Sequence, residues 1–239
     1  MVLPGQFLER SVVVEGPAGL LDALYHRGTR APPCLLAAPH PALGGSMHAP
    51  VIAELAWALT QAGHSTMRFD YRGVGASEGH SRHRAGQLAA DLADEVDDAL
   101  AVLRHLASTA GAGSVCAVGY SFGAGVALRA AQDAAVERIV LVAPPTAMID
   151  FSALRALKKP ALVVAAHHDA LCDRAVIQEM LGDQHQLTVV PHADHVFVRG
   201  LSEVGREAVR WLGTPEERPR GEIEMHDAGG PPLELQEDD

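Results

Sequence analysis

The sequence predicts an α/β architecture: a mostly parallel central sheet of about eight strands, antiparallel at its N-terminal edge, with helices on both faces. Three observations predict it. Short apolar runs alternate with longer stretches whose apolar residues recur every three or four positions. Most of the short runs are continuously apolar, as expected for strands covered on both faces. The first two runs are joined by Glu15-Gly16-Pro17-Ala18-Gly19, a turn short enough for an antiparallel pair.

Taken in order, Leu8 to Val14 and Leu20 to Tyr25 predict the hairpin, and Cys34 to Ala38 a buried strand. His48 to Ala62 predicts a helix that stops at Gly63. Ser65 to Asp70 is the next strand, followed by a long helix over about Ala85 to Ala110. Its residues Leu88, Leu92, Val96, Leu100 and Leu103 form one apolar stripe for packing on a sheet. Ser114 to Val118 is a strand that leads through a glycine-rich turn into a helix over Gly125 to Ala131. Arg138 to Ala143 and Ala161 to Ala166 are strands, Arg174 to Leu181 a helix, and Leu187 to Val190 a short strand. Val196 to Leu212 predicts a closing helix.

Composition bounds the possibilities. At 239 residues, residues 1–213 suit one domain of the larger kind, and 48% hydrophobic content supplies a sizeable core. Aromatics are only 4%, so Ala, Val, Leu and Gly must do most of the packing. The formal charge is -11, and residues 214–239 hold nine acidic and two basic residues of it. That segment is rich in Glu, Asp, Pro and Gly and lacks apolar periodicity, so it predicts a disordered tail. No basic face for nucleic acid is present. Cys34, Cys116 and Cys172 are odd in number, widely spaced and outside any CxxC, which points to a reducing compartment. Met1 to Arg10 does not read as a secretory signal, and no apolar run approaches the ~20 residues needed to span a bilayer. The expectation is a cytoplasmic protein that engages neither membrane nor nucleic acid.

The most informative stretch is Gly119-Tyr120-Ser121-Phe122-Gly123, set between an apolar strand and a helix. In that context Gly-x-Ser-x-Gly reads as a nucleophile elbow. A serine held in a tight strand-to-helix turn takes a strained backbone, and its neighbours must be small. The alternative is a glycine-rich turn without chemistry. A serine hydroxyl needs a base, and the base needs an orienting carboxylate. In elbow architectures these follow in the order serine, acid, histidine. Asp169 stands three residues after the strand Ala161 to Ala166, with Asp173 as second candidate and more natural helix cap. His195 follows the last strand, with His192 as second candidate. For the oxyanion, Phe122 offers the N–H just after the nucleophile. The loop Pro39-His40-Pro41-Ala42-Leu43-Gly44-Gly45 offers the other. Pro41 has no N–H, so Ala42 is favoured and Leu43 is second. His40 either pins this loop or touches substrate.

Four stretches together resemble the α/β-hydrolase superfamily, particularly its small bacterial members of unassigned substrate. Pro39-His40-Pro41 with Gly44-Gly45-Ser46-Met47 is similar to their oxyanion loop. Arg68-Phe69-Asp70-Tyr71-Arg72-Gly73-Val74-Gly75-Ala76-Ser77-Glu78-Gly79 is similar to the turn after their fourth strand. Gly119 to Gly125 resembles their elbow, and Ala193-Asp194-His195-Val196-Phe197 the segment bearing their histidine. The resemblance spans about residues 8–212. It implies an α/β-hydrolase fold and a site on Ser121, Asp169 and His195 without metal or organic cofactor. The acid loop departs from relatives: Ala165-Ala166-His167-His168-Asp169 lacks their usual glycine.

Only 17 residues separate Ala143 from Ala161, where relatives with a lid domain often insert it. The expected site is therefore open, and the expected activity is hydrolysis of a small carboxylic ester or thioester through an acyl-enzyme. Three other readings share these residues: acyl transfer or peroxidase-like chemistry on the same triad, a binding protein that kept the fold, and a metal site from His167, His168, Asp169, His192 and His195. The partner expected is a small acyl substrate.

Overall fold

The computed structural model describes residues 8–83 and 92–213. Its single sheet has eight strands: β1 (Arg10–Gly16), β2 (Gly19–His26), β3 (Arg30–Ala37), β4 (His64–Phe69), β5 (Val115–Tyr120), β6 (Val136–Val142), β7 (Ala161–His168) and β8 (His185–Asp194). They lie in the order β1-β2-β4-β3-β5-β6-β7-β8. β1 and β2 pair antiparallel, β2 joins β4 antiparallel, and every pairing from β4 through β3 to β8 is parallel. This is the mixed sheet the sequence predicts.

The period-two geometry of strands divides the core into two layers. Leu35, Ala117, Ile139, Leu141 and Val163 point to one face, where α2 (Ala93–Ala110) and α3 (Phe122–Ala130) add Val102, Leu103, Leu106 and Val126. Leu36, Val118, Val140, Val142 and Val164 point to the other, where α1 (Pro50–Gln61) and α5 (Leu201–Gly213) add Ile52, Leu55, Leu59, Val204 and Trp211. The remaining helix, α4 (Arg174–Met180), sets Ile177 into the first layer. Because the inner parts of β3, β5, β6 and β7 are buried on both faces, Cys34 to Ala37, Val115 to Val118, Ile139 to Val142 and Ala161 to Ala166 are continuously apolar rather than alternating. Cys34, Cys116 and Cys172 are free and buried. No helix among the described residues is long and apolar enough to cross a membrane.

Three boundaries differ from the sequence reading. The long helix is described from Ala93; its expected first turns, with Leu88, fall outside the described residues, as does the acidic segment 214–239. β8 continues past Val190 to Asp194, so His192 lies within the strand and only His195 follows it. Parallel pairing with β7 explains the extension, since a register shift near Ala166 lets His168 still partner Asp194. Finally, His195 leads into a turn and not directly into a helix. Asp194 Oδ1 accepts the Val198 N–H at 3.1 Å, its carbonyl accepts the Phe197 N–H at 3.0 Å, and α5 starts at Leu201.

The crossover from β6 to β7 builds no domain of its own. It carries one short 3₁₀ turn, Ser152–Ala156, and buries Phe151 and Leu154 in the first layer. Ile149 packs beside Gly125 of α3. The segment therefore closes onto the body of the domain.

Candidate active site

The C-terminal ends of β3, β5, β7 and β8 lie along one edge of the sheet, where open α/β sheets place their ligands. Ser121 sits between β5 and α3 with φ 54° and ψ -118°, a conformation that L-residues rarely adopt. Its N–H donates to the Val142 carbonyl at 2.8 Å, tying the turn to β6. The glycines on either side are sterically required. A Cβ on Gly119 would lie 1.9 Å from the Gly123 carbonyl oxygen, and one on Gly123 would lie 2.1 Å from that of Ala37. Bare backbone is what allows β5, α3 and β3 to converge under the serine. Gly123→Val is expected to yield little folded protein, measured as soluble yield and loss of the cooperative melting transition.

Three side chains meet at this edge. Ser121 Oγ lies 2.9 Å from His195 Nε2, and His195 Nδ1 lies 2.8 Å from Asp169 Oδ2. The Asp169 carboxylate is fully buried, and the imidazole is 18% exposed, enough to meet a substrate while its partner stays dry. The other carboxylate oxygen, Oδ1, accepts the Leu171 N–H at 2.8 Å and the Cys172 N–H at 3.2 Å. Asp169 is thus held by its own loop, despite the missing glycine. Asp173, the second candidate, is occupied elsewhere: it caps α4 by accepting the Ala175 and Val176 N–H groups. Among the described residues no hydrogen bond joins His192 to Ser121, and His192 belongs to the wall of a neighbouring cleft.

The two oxyanion candidates differ in state. The Phe122 N–H has no acceptor among the described residues. The Ala42 N–H donates to Nδ1 of His40 at 3.1 Å, and the Leu43 N–H donates to the His40 carbonyl at 3.1 Å. The loop forms a 3₁₀ turn, Pro41–Leu43, that His40 caps with its own ring. Because Nδ1 accepts, the imidazole proton must sit on Nε2. Burial, and next the neighbouring His83, lower the pKa of His40 and keep it neutral. The ring lies edge-on to Phe122 at 4.8 Å, so His40 does pin this loop against the elbow.

The model of a family described as serine aminopeptidase, S33, matches residues 42–153, just under half of the chain. A structure described as a serine hydrolase without lid, from Xanthomonas campestris, is 28% identical with a TM-score of 0.72; the match covers 91% of this chain and 100% of that one. An α/β serine hydrolase homologue from Coxiella burnetii is 27% identical with a TM-score of 0.74, covering 89% and 99%. An uncharacterized protein of Rickettsia prowazekii is 27% identical over 201 residues, 78% of this chain and 81% of that one. The chain is a member of the α/β-hydrolase superfamily.

Further parts of this α/β-hydrolase site escaped sequence reasoning. The Tyr120 hydroxyl donates to the His195 carbonyl at 3.1 Å, fastening the histidine turn to the residue just before the serine. Burial first, then the Asp169 and Asp194 carboxylates, push Tyr120 up to about 12, so it stays a neutral donor. The only signal in the sequence was its place inside the elbow motif. The turn after β4 holds neighbouring segments in place. Asp70 Oδ1 accepts the Met47 N–H at 2.7 Å and Arg68 donates to the Met47 carbonyl at 3.0 Å, which anchors the far end of the oxyanion loop. Arg72 bridges to α2 through Asp98 and Asp94 at 2.7 and 2.9 Å. Among the described residues no group of three or more His, Cys, Asp or Glu is arranged to hold a metal ion.

Proposed function

We propose that the chain is a serine hydrolase that cleaves small carboxylic esters or thioesters through an acyl-enzyme on Ser121. The observation that carries this reading is the continuous proton path from Ser121 Oγ through His195 to Asp169, with links of 2.9 and 2.8 Å. In the first step His195 Nε2 takes the hydroxyl proton as Oγ attacks the acyl carbon. Asp169, buried and acceptor-only, fixes the tautomer with hydrogen on Nδ1 and stabilises the imidazolium. The Phe122 N–H and the N-terminal end of α3 face the developing oxyanion. Ala42 supplies the second donor when its N–H turns from His40 Nδ1 to the oxyanion. Collapse expels the alcohol or thiol, which takes the proton from His195. Water, activated by the same base, then releases the acid.

An open mouth is supported by the crossover after β6, which packs down on α3. Leu43, Val196 and Val198 stand exposed on the oxyanion and histidine turns, offering apolar contact for a short acyl group. In a panel of p-nitrophenyl esters, kcat/KM is expected to be highest for acetate to butyrate and to fall toward palmitate. A steady rise to palmitate would contradict an open, small-acyl site. The match to the aminopeptidase family model favours a second reading, amide cleavage at an N-terminal residue, so the panel includes alanine p-nitroanilide. We further propose a cytoplasmic location, consistent with three unpaired buried thiols, and a domain ending at residue 213 with an acidic extension beyond it.

A further inference from the structure

A second cleft, of about 1280 Å³, lies beside the acid loop. Its walls come from the loop after β7, from α4 and from the edge strand β8. Asp169 belongs to its wall, but neither Ser121 nor His195 does. The cleft thus borders the acid loop, and its wall does not include the nucleophile.

The wall of this cleft carries one guanidinium and two carboxylates, and both carboxylates accept hydrogen bonds from the protein. Of the two carboxylates in its wall, Asp169 is committed to His195, Leu171 and Cys172, and Asp173 to the first turn of α4. Thr146 Oγ1 is taken by the Asp173 N–H. Arg174 is half-buried and has no carboxylate partner among the described residues. Among the described residues no hydrogen bond engages its five-donor fork. His167 and His192 line the same cleft, and His168 stacks beside His167 at 4.4 Å. Loss of solvation, and then His168, Arg174 and His192, lower the pKa of His167, which lies close to these three groups. His192 holds a φ of 57°, strain of a kind that collects at binding sites. Leu187, Val189 and Val176 form the apolar part of the wall. A largely apolar pocket with a few uncommitted polar groups is the usual form of a small-molecule site.

We propose that this cleft binds a small amphiphilic carboxylate, its anionic head held by Arg174 and His192 and its hydrocarbon body lying along Leu187 and Val189. A carboxylate matches the planar fork of Arg174, and a short alkyl chain matches the apolar strand beside it. The inference stands apart from the hydrolase reading, because no catalytic group takes part.

The test is calorimetric titration of octanoate into the full-length chain, with octanamide as the neutral isostere. Octanoate is expected to bind one per chain and at least ~10-fold more tightly than octanamide, since a charge-assisted pair is lost in the amide. Arg174→Gln should weaken octanoate by roughly 10-fold, and Arg174→Gln with His192→Gln should erase the preference for the acid. Melting temperatures of the variants establish that they are folded. Ser121→Ala should bind octanoate as the parent does, which separates this cleft from an acyl pocket at the serine. The proposal is overturned by absence of saturable octanoate binding, by equal affinity for the amide, by a double variant with parental affinity, or by binding that depends on Ser121.

Discussion

Replacement of Ser121 by alanine is expected to lower p-nitrophenyl acetate turnover by ~10⁴-fold or more. The size follows from the role proposed: without Oγ there is no atom to carry the acyl group, and His195 has nothing to deprotonate. Stability should change little. The turn's positive φ is imposed by the convergence of β3, β5 and α3, which alanine inherits, and one partly exposed hydrogen bond is lost. A net loss of about 1 kcal/mol corresponds to a melting temperature within about 4 °C of the parent. Activity near the parental level in this variant would remove Ser121 from the role of nucleophile.

Asp98→Ala is expected to lower stability markedly while the domain still folds and the three site residues stay untouched. Asp98 is fully buried on α2 and accepts from Arg72 three ways: from the backbone N–H at 3.0 Å, from Nε at 3.0 Å and from Nη2 at 2.7 Å. That hydrogen bond foremost raises the pKa of Arg72 above the usual guanidinium range. Removing the carboxylate leaves a buried cation with Asp94 as its remaining ionic partner, a change worth about 3 kcal/mol. Thermal melting should fall by about 6–12 °C. The effect should reach the site, because the turn bearing Arg72 also carries Asp70, which anchors the oxyanion loop at Met47. A melting temperature within 2 °C of the parent would show that the bridge between this turn and α2 contributes nothing.

The sheet was legible because its central strands are buried on both faces, so Cys34 to Ala38, Val115 to Val118 and Ala161 to Ala166 read as unbroken apolar runs. The elbow was legible because sterics leave few residues able to surround Ser121, and Gly119 and Gly123 are two of them. What escaped the sequence depends on pairing between distant segments. β8 reaches Asp194 through hydrogen bonds with β7, and its end, Pro191-His192-Ala193-Asp194, carries no strand pattern of its own. Val196-Phe197-Val198 looked like a helix start because it is apolar, yet the Asp194 side chain and backbone bend it into a turn. Tyr120 could not be assigned a partner, since the His195 carbonyl lies 75 residues away in the chain. The state of the Ala42 N–H was equally hidden: nothing local says that the His40 ring folds back on its own loop.

The most direct measurement is labelling of the full-length chain with a fluorophosphonate, followed by peptide mass spectrometry. A serine whose proton is drawn off by His195 should form the phosphonyl adduct on the peptide containing Ser121, at one label per chain, and Asp169→Asn should slow that labelling by orders of magnitude. Absence of an adduct, or an adduct on another serine with Ser121 unmodified, would contradict the account.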